Sequence, residues 1–251
     1  MEKILSIFGR LMATLYGIFN DMLGGILLYV LLVYMMLFFV NNKTINNVFI
    51  SELIEDDFDK TRRGARRNKK KADNATMELL MSYGYSGFAG PLTFIIKSVF
   101  GMLMAFGLQA ETASAIDNTI FNINTAMSLW QHHKAGSPYV WALAGLTIGA
   151  IFIQMLHDGY LERRILMDQS AVDVIQVIPL TIMCVLVPSG FIFFYIIYTL
   201  IELVQIIFQT TTMHDSGIRR VKQTMNYKKS TFERRYEAQV KSLNEKKKNK
   251  K

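Results

Sequence analysis

Long apolar runs alternate with polar segments along this chain. Four runs stand out, and the last of them, residues 174–208, is interrupted only by Pro188-Ser189-Gly190. A helix rises 1.5 Å per residue, so about 20 residues cross a hydrocarbon core of about 30 Å. The last run is too long for one crossing and reads as two. We therefore predict five membrane spans, at residues 20–40, 91–108, 138–157, 174–187 and 188–208, the last of which begins with the Pro-Ser-Gly turn.

The polar segments also have a pattern. In residues 1–19 the apolar positions recur every three to four residues, which predicts an amphipathic helix lying in the membrane interface. Residues 41–90 contain two helix-compatible arms, 44–60 and 75–84, around a basic turn at 62–71, which predicts a helical hairpin. The remaining connections are a loop at 109–137, a link at 158–173 and a basic tail at 209–251.

Composition and charge support a membrane protein and give its orientation. Hydrophobic residues make up 51% of the 251, and the net charge is +8. Segment 41–90 holds nine Lys and Arg residues and the tail holds thirteen, whereas 109–137 has only Lys134. Basic flanking loops stay cytoplasmic. We therefore expect a multi-pass protein with the N-terminus outside and the hairpin, the link and the C-terminus in the cytoplasm.

Motifs for enzyme chemistry are weak. The four histidines do not form a metal-ligand spacing with cysteine or paired carboxylates, and no phosphate-binding glycine loop is present. Cys184 is the single cysteine, so a disulfide within one chain is excluded. We expect it to be an unreactive residue that packs against its neighbours. The sequence therefore predicts no enzyme, no metal and no cofactor.

The informative polar groups lie inside the predicted spans. Lys97, Glu202 and Tyr34 each lie six residues from the cytoplasmic end of a span, which places them roughly 9 Å below the inner boundary. Gln154 and Gln176 are somewhat shallower, and Thr199 is one turn deeper than Glu202. Ionisable groups in spans are costly and usually functional. We take these six residues as candidates for contact with a substrate.

All six lie in the inner half of the predicted bundle, and the outer half is apolar. A channel or proton-coupled carrier needs polar groups at successive depths, so this distribution argues against both. It suits a cavity that opens only to the cytoplasm. Two plainer interpretations remain open: Lys97 and Glu202 form an ion pair that fastens two helices, or both side chains snorkel to the inner interface.

Three stretches resemble the YidC/Oxa/Alb3 family of membrane protein insertases. "IFGRLMATLYGIFNDMLGGILLYVLLVYMMLFFV" at 7–40 looks like the family's interfacial helix and first span. "MELLMSYGYSGFAGPLTFIIKSVFGML" at 77–103 is similar to its second-span entry. "VIPLTIMCVLVPSGFIFFYIIYTLIELVQ" at 177–205 resembles the end of its fold. Together these stretches cover nearly all of the spans.

The resemblance implies an insertase or chaperone that works without nucleotide hydrolysis. A hydrophilic groove open to the cytoplasm would receive the polar segments of small, newly made membrane proteins, and their apolar helices would pass into lipid. The implied partners are nascent membrane proteins and the bilayer. Further candidate partners are a Sec-type translocon and, through the basic tail, the ribosome or its RNA, although the tail also suits anionic lipid. The expected location is a bacterial plasma membrane, because the chain shows no transit peptide.

One departure from the family concerns charge. Bacterial members carry an arginine in the first span, where this chain has "LLVYMMLFF" and thus Tyr34. Our hypothesis is that Lys97 supplies the positive charge instead and that Glu202 tunes or neutralises it, which weakens the expected preference for acidic substrate segments. The rival functions are a non-catalytic scaffold or assembly factor that binds partner helices and, third, a small-solute carrier.

Overall fold

A computed structural model describes residues 2–64, 69–110, 117–165 and 170–224. Within this part the protein is all-α, with nine helices and one antiparallel pair of two-residue strands, β1 (Thr119–Ile120) and β2 (Ile123–Asn124). The helices are α1 (Glu2–Phe19), α2 (Met22–Gly64), α3 (Lys69–Ser82), α4 (Ala89–Gly107), α5 (Leu129–Lys134), α6 (Val140–Glu162), α7 (Ser170–Leu186), α8 (Gly190–Thr211) and α9 (residues 214–224). The centre of the predicted basic turn, 65–68, and most of the basic tail, 225–251, lie outside the described residues.

Four helices are long and apolar enough to cross a membrane, which suggests a multi-pass membrane protein. They are Met22–Thr61, Ala89–Gly107, Val140–Glu162 and Gly190–Thr211, and each overlaps one of the predicted spans. The predicted fourth span, 174–187, falls on α7, whose apolar part, Gln176–Leu186, is shorter than the usual span. At 1.5 Å per residue this part covers roughly 16 Å.

The first long helix has a defined start and no break at the predicted loop. Asn20 adopts a left-handed backbone with φ of 53°, and the Asp21 carboxylate accepts a hydrogen bond of 2.8 Å from the amide of Gly24, which caps α2. The helix then continues through Asn41 and Asn42 to Gly64. These two asparagines do not end the helix, because their side chains bond to another helix, as described below.

The sixth helix is also longer than predicted. We expected the third span to end at residue 157 and a link to follow, but α6 runs to Glu162. Asp158 therefore lies on a helix, where its carboxylate is held by neighbouring side chains. The predicted hairpin arms are also helical: α2 covers the whole first arm, and α3 covers the second as far as Ser82.

The described chain forms two compact units. The first draws its residues from Met1–Asn42, Phe88–Arg163 and Met167–Ile206. In it, α4 and α8 approach closely at Gly101, where a Cβ would lie 2.7 Å from the ring of Phe194. α1 packs on the end of α4, since a Cβ at Gly107 would lie 2.9 Å from Phe8.

Residues 117–137 of the predicted loop cover one end of this first unit. The amides of Ser189 and Gly190, at the turn between α7 and α8, donate to the carbonyls of Met127 and Thr125 at 2.8 and 2.9 Å. The Ser189 hydroxyl donates to the carbonyl of Asn124 at 3.0 Å. Ser189 is fully buried, so the loop closes over the turn and seals this end of the helices.

The second unit draws its residues from Lys43–Gly87, Arg164–Leu166 and Ile207–Lys251. Here α9 lies against the second half of α2: Gly217 packs directly on the Phe49 ring, and His214 Nε2 lies 2.9 Å from a Glu52 carboxylate oxygen. The hydrogen bond to Glu52 raises the pKa of His214 above its usual value of 6.5, and Asp215 adds to the effect.

Candidate functional site

One face of α8 presents polar groups inside an apolar helix. Tyr195, Tyr198, Thr199 and Glu202 follow the spacing of three, four and seven residues that aligns side chains on one face. None is more than 4% exposed. This face packs against α2, α4 and α6, so a polar seam forms in the core of the first unit.

Lys97 on α4 is the central charge of this seam. It is 2% exposed, and its ammonium lies 3.0 Å from Glu202 Oε2, 3.2 Å from Gln154 Oε1 and 3.4 Å from Thr199 Oγ1. The same nitrogen lies 4.7 Å from the centre of the Tyr195 ring. An ammonium has three protons to donate. All three therefore have an acceptor, and the aromatic ring adds a cation–π contact.

The network continues along α6. The amide nitrogen of Gln154 donates to both carboxylate oxygens of Asp158, at 2.7 and 2.8 Å, and Tyr195 donates its hydroxyl proton to Gln154 Oε1 at 2.6 Å. His157 Nδ1 lies 2.9 Å from Asp158 Oδ1. The Gln154 amide thus connects the Lys97–Glu202 pair to a second carboxylate one helical turn away.

Glu202 lies directly beside Lys97, as the hypothesis that it tunes or neutralises the lysine charge requires. Glu202 and Asp158 are two carboxylates, and Lys97 is one ammonium. We call Lys97, Gln154, Asp158, Tyr195, Thr199 and Glu202 the buried polar cluster.

Tyr34 lies in a neighbouring group and does not contact Lys97. Its hydroxyl donates to Gln205, whose amide nitrogen in turn donates to Asn42 at 3.3 Å. Asn41 donates to the hydroxyl of Tyr198 at 3.2 Å. Tyr198 joins the two groups, because its ring lies 5.8 Å from Lys97 Nζ and 5.8 Å from the Tyr34 ring.

The structure therefore brings four of the six predicted residues into one cluster: Lys97, Gln154, Thr199 and Glu202. Tyr34 belongs to the adjoining group. Gln176 on α7 is also buried, but the hydrogen bonds within the described part of the chain do not link it to the cluster. Lys97 and Glu202 form a direct ion pair, which was one of the two plainer interpretations.

Lys97 lies near the middle of its helix. It is the ninth of 19 residues in α4, roughly 12 Å from the start of the helix. The depth of roughly 9 Å refers to the inner membrane boundary and stays a prediction.

Two members of the cluster were missed by the sequence reasoning. Asp158 was assigned to a link because the apolar run ends before it, although its spacing of four from Gln154 would have placed both on one helix face. Tyr195 was treated as part of an apolar aromatic run. Its spacing of seven from Glu202 was the available signal.

The two ends of the first unit differ. Towards the end where α2 reaches Asn42 and α8 reaches Gln205, polar side chains hydrogen bond between the helices. Towards the other end the helices bury apolar side chains such as Met104, Leu143 and Phe191. The polar side chains buried there belong to the loop and the turn before α8, such as Thr125 and Ser189. The described residues hold no group of three His, Cys, Asp or Glu side chains placed to bind a metal ion.

No protein-family model matches this sequence, and no curated protein matches it either.

Proposed function

We propose that this protein is a membrane insertase of the YidC/Oxa/Alb3 type, which receives polar segments of small membrane proteins and releases their apolar helices into lipid. The observation that carries the proposal is the buried polar cluster at mid-helix between α4, α6 and α8. Further polar side chains adjoin it towards one end of the unit, and residues 117–137 cover the other end.

The orientation follows from the charge pattern. The hairpin and tail segments hold most of the Lys and Arg residues, so the end at Asn42 and Gln205 faces the cytoplasm and the sealed end faces outwards. α7 is the fourth of the five spans in this arrangement. Its apolar part of roughly 16 Å is well below a hydrocarbon thickness of about 30 Å, so the bilayer would thin around it.

The physical role of the cluster is to lower a desolvation cost. A polar segment that enters hydrocarbon without hydrogen-bond partners costs several kcal/mol per group. Carboxylate and amide oxygens at mid-helix offer such partners. Partition of the substrate's apolar helix into lipid then supplies the driving force, so no nucleotide is needed.

In the structure, the cluster is closed. Lys97 is 2% exposed and has all its protons engaged, so a substrate must displace Gln154 or Glu202 before it reaches the ammonium. Asp158 is the accessible member, with a side chain 11% exposed. We infer that a substrate first contacts Asp158 and then exchanges hydrogen bonds inwards.

The rival function is a scaffold that binds partner helices without inserting them. The saturation of Lys97 favours this reading, because a fully satisfied ion pair can simply fasten α4 to α8. The two functions differ in one respect: an insertase acts alone on a substrate in a lipid bilayer, whereas a scaffold does not.

The test is reconstitution of the purified full chain into protein-free liposomes, followed by protease protection of a small single-span substrate. We compare the wild type with Lys97→Met combined with Glu202→Leu, and with Lys134→Met as a control lysine in segment 109–137. Insertion by the wild type and the control that falls in the double variant would support the proposal. Insertion no greater than in empty liposomes would assign the scaffold instead.

A further inference from the structure

The second unit contains a cavity that the proposed insertase function does not use. Its volume is about 300 Å³. The polar side chains on its wall come from α2, from the turn after α3 and from α9: Lys43, Asn46, Tyr83, Ser86, Arg220 and Thr224.

The wall is held in place by hydrogen bonds. Asn47 on α2 bonds twice to Ser86, through its amide nitrogen to the carbonyl at 2.9 Å and through its oxygen to the amide at 3.0 Å. Gly84 has a φ of 89°, which lets the turn bend back to α2. Arg220 donates to Asn46 Oδ1 at 3.4 Å, and both residues line the cavity.

The cavity is positively charged. Lys43 and Arg220 both line it, and its lining includes no carboxylate. Among the described residues, no Asp or Glu forms an ion pair with either cation. Two uncompensated cations around a small concave volume favour an anion, and arginine is suited to the paired oxygens of a phosphate.

The position of Lys43 along α2 also points to phosphate. The predicted first span ends at Val40, and Lys43 follows three residues later, roughly 5 Å further along the helix. That is the depth of the lipid head groups next to the hydrocarbon core. Anionic lipids of the cytoplasmic leaflet attract basic residues at this level.

We propose that this cavity binds a phosphate group, held by the ammonium of Lys43 and the guanidinium of Arg220, with the hydroxyls of Tyr83, Ser86 and Thr224 as neutral partners. The phosphate belongs to an anionic lipid head group or is free in solution. The proposal stands apart from the insertase function, because no residue of the buried polar cluster lines this cavity.

The test is native mass spectrometry of the delipidated full chain in detergent, titrated with phosphatidylglycerol. Diacylglycerol with the same acyl chains is the phosphate-free comparison, and inorganic phosphate is the competitor. The variants are Lys43→Gln and Arg220→Gln. The matched control is Lys222→Gln, which removes the same charge from α9 at an exposed position outside the cavity wall.

We expect one tightly bound phosphatidylglycerol, weak binding of diacylglycerol, and an increase in Kd of about five-fold for Lys43→Gln and for Arg220→Gln. Lys222→Gln should stay near the wild-type Kd, and Lys43→Arg should recover binding. Displacement of the lipid by inorganic phosphate at equal concentration would identify free phosphate as the ligand.

An equal loss in all three Gln variants would overturn the proposal, since it would mean diffuse attraction to a basic surface. Equal binding of diacylglycerol would overturn it as well. Arg220→Gln also removes the bond to Asn46, so circular dichroism of each variant must match the wild type. Lys43 has no carboxylate partner among the described residues, so Lys43→Gln tests the cavity without that complication.

Discussion

Loss of the Lys97 charge should be the most damaging single change in the buried polar cluster. In Lys97→Met the Glu202 carboxylate stays buried, at 4% exposure, and loses its only ion-pair partner among the described residues. Thr199 loses a donor as well. Removal of one partner from a buried pair costs about 3–5 kcal/mol. We expect a fall in the free energy of unfolding of about 5 kcal/mol, the upper end of that range.

The reverse change should cost less. In Glu202→Leu the ammonium keeps Gln154 and Thr199 as acceptors and retains its contact with the Tyr195 ring. These contacts compensate part of the lost attraction, so we expect a fall of about 3 kcal/mol, the lower end of the same range.

The double variant, Lys97→Met with Glu202→Leu, should recover most of the stability. It leaves no unpaired charge at this pair, and Gln154 Oε1 still accepts from the Tyr195 hydroxyl. Replacement of a buried ion pair by apolar side chains is often neutral or stabilising. We expect the double variant to be at least about 3 kcal/mol more stable than additivity predicts.

The assay is unfolding of the purified chain in bicelles by sodium dodecyl sulfate, followed by far-ultraviolet circular dichroism and extrapolated to zero detergent. Lys134→Met is the control and should match the wild type, because Lys134 is exposed. Strict additivity of the two single changes in the double variant would refute a direct Lys97–Glu202 interaction. A larger loss in Glu202→Leu than in Lys97→Met would refute the assigned roles of Gln154 and Thr199.

Three further predictions use other contacts. Gly101→Val should lower the free energy of unfolding by about 1–3 kcal/mol, because the added side chain would overpack against the Phe194 ring. The control, Gly145→Val, has open space at its Cβ and should unfold like the wild type. Equal effects of the two changes would contradict the close contact at Gly101. Glu52 raises the pKa of His214, so the docking of α9 on α2 should be most stable below pH 6.5 and should weaken as the pH rises through the raised pKa. Amide hydrogen exchange in residues 214–224, corrected for its intrinsic rate, should show this change. A Glu52→Gln variant with the same pH response would contradict it. If the chain is an insertase, Asp158→Asn should raise the ratio of insertion of substrates with acidic polar segments to insertion of substrates with basic ones by about five-fold in the liposome assay. An unchanged ratio would rule out a role for the Asp158 charge.

The relative level of the polar groups along neighbouring helices could be predicted from the sequence because a helix advances a fixed distance per residue. Lys97 and Glu202 were each counted from the cytoplasmic end of a span, and the two side chains do meet. The same count placed Gln154 close to them. Spacing within α8 fixed Thr199 and Glu202 on one face without any structure.

The rotation of each helix about its axis could not be predicted in this way. Gln176 has a suitable depth, yet no hydrogen bond within the described residues joins it to the cluster. Tyr34 also has a suitable depth, but its hydroxyl meets Gln205. Rotation depends on how neighbouring side chains pack, for example where Gly101 admits the Phe194 ring, and that is a property of pairs of helices.

Hydropathy also could not predict where the helices end, because a polar residue whose side chain has a hydrogen-bond partner need not end a helix. Asn41 and Asn42 bond to Tyr198 and Gln205 on α8, so α2 passes through them. Asp158 is held by Gln154, so α6 passes through it too. A hydropathy count treats each of these residues as a boundary, since the count cannot see its partner.

The energetics of the buried polar cluster bear on its role. If the Lys97–Glu202 pair only fastened α4 to α8, two apolar side chains would do so without the cost of burying two charges. Ionisable groups among apolar membrane helices are a sign of function for that reason. The insertase proposal therefore requires the double variant to be well folded and yet impaired in insertion. A double variant that is well folded and fully active would leave the pair as a fastener and move the function to Asp158 and the polar side chains around Gln205.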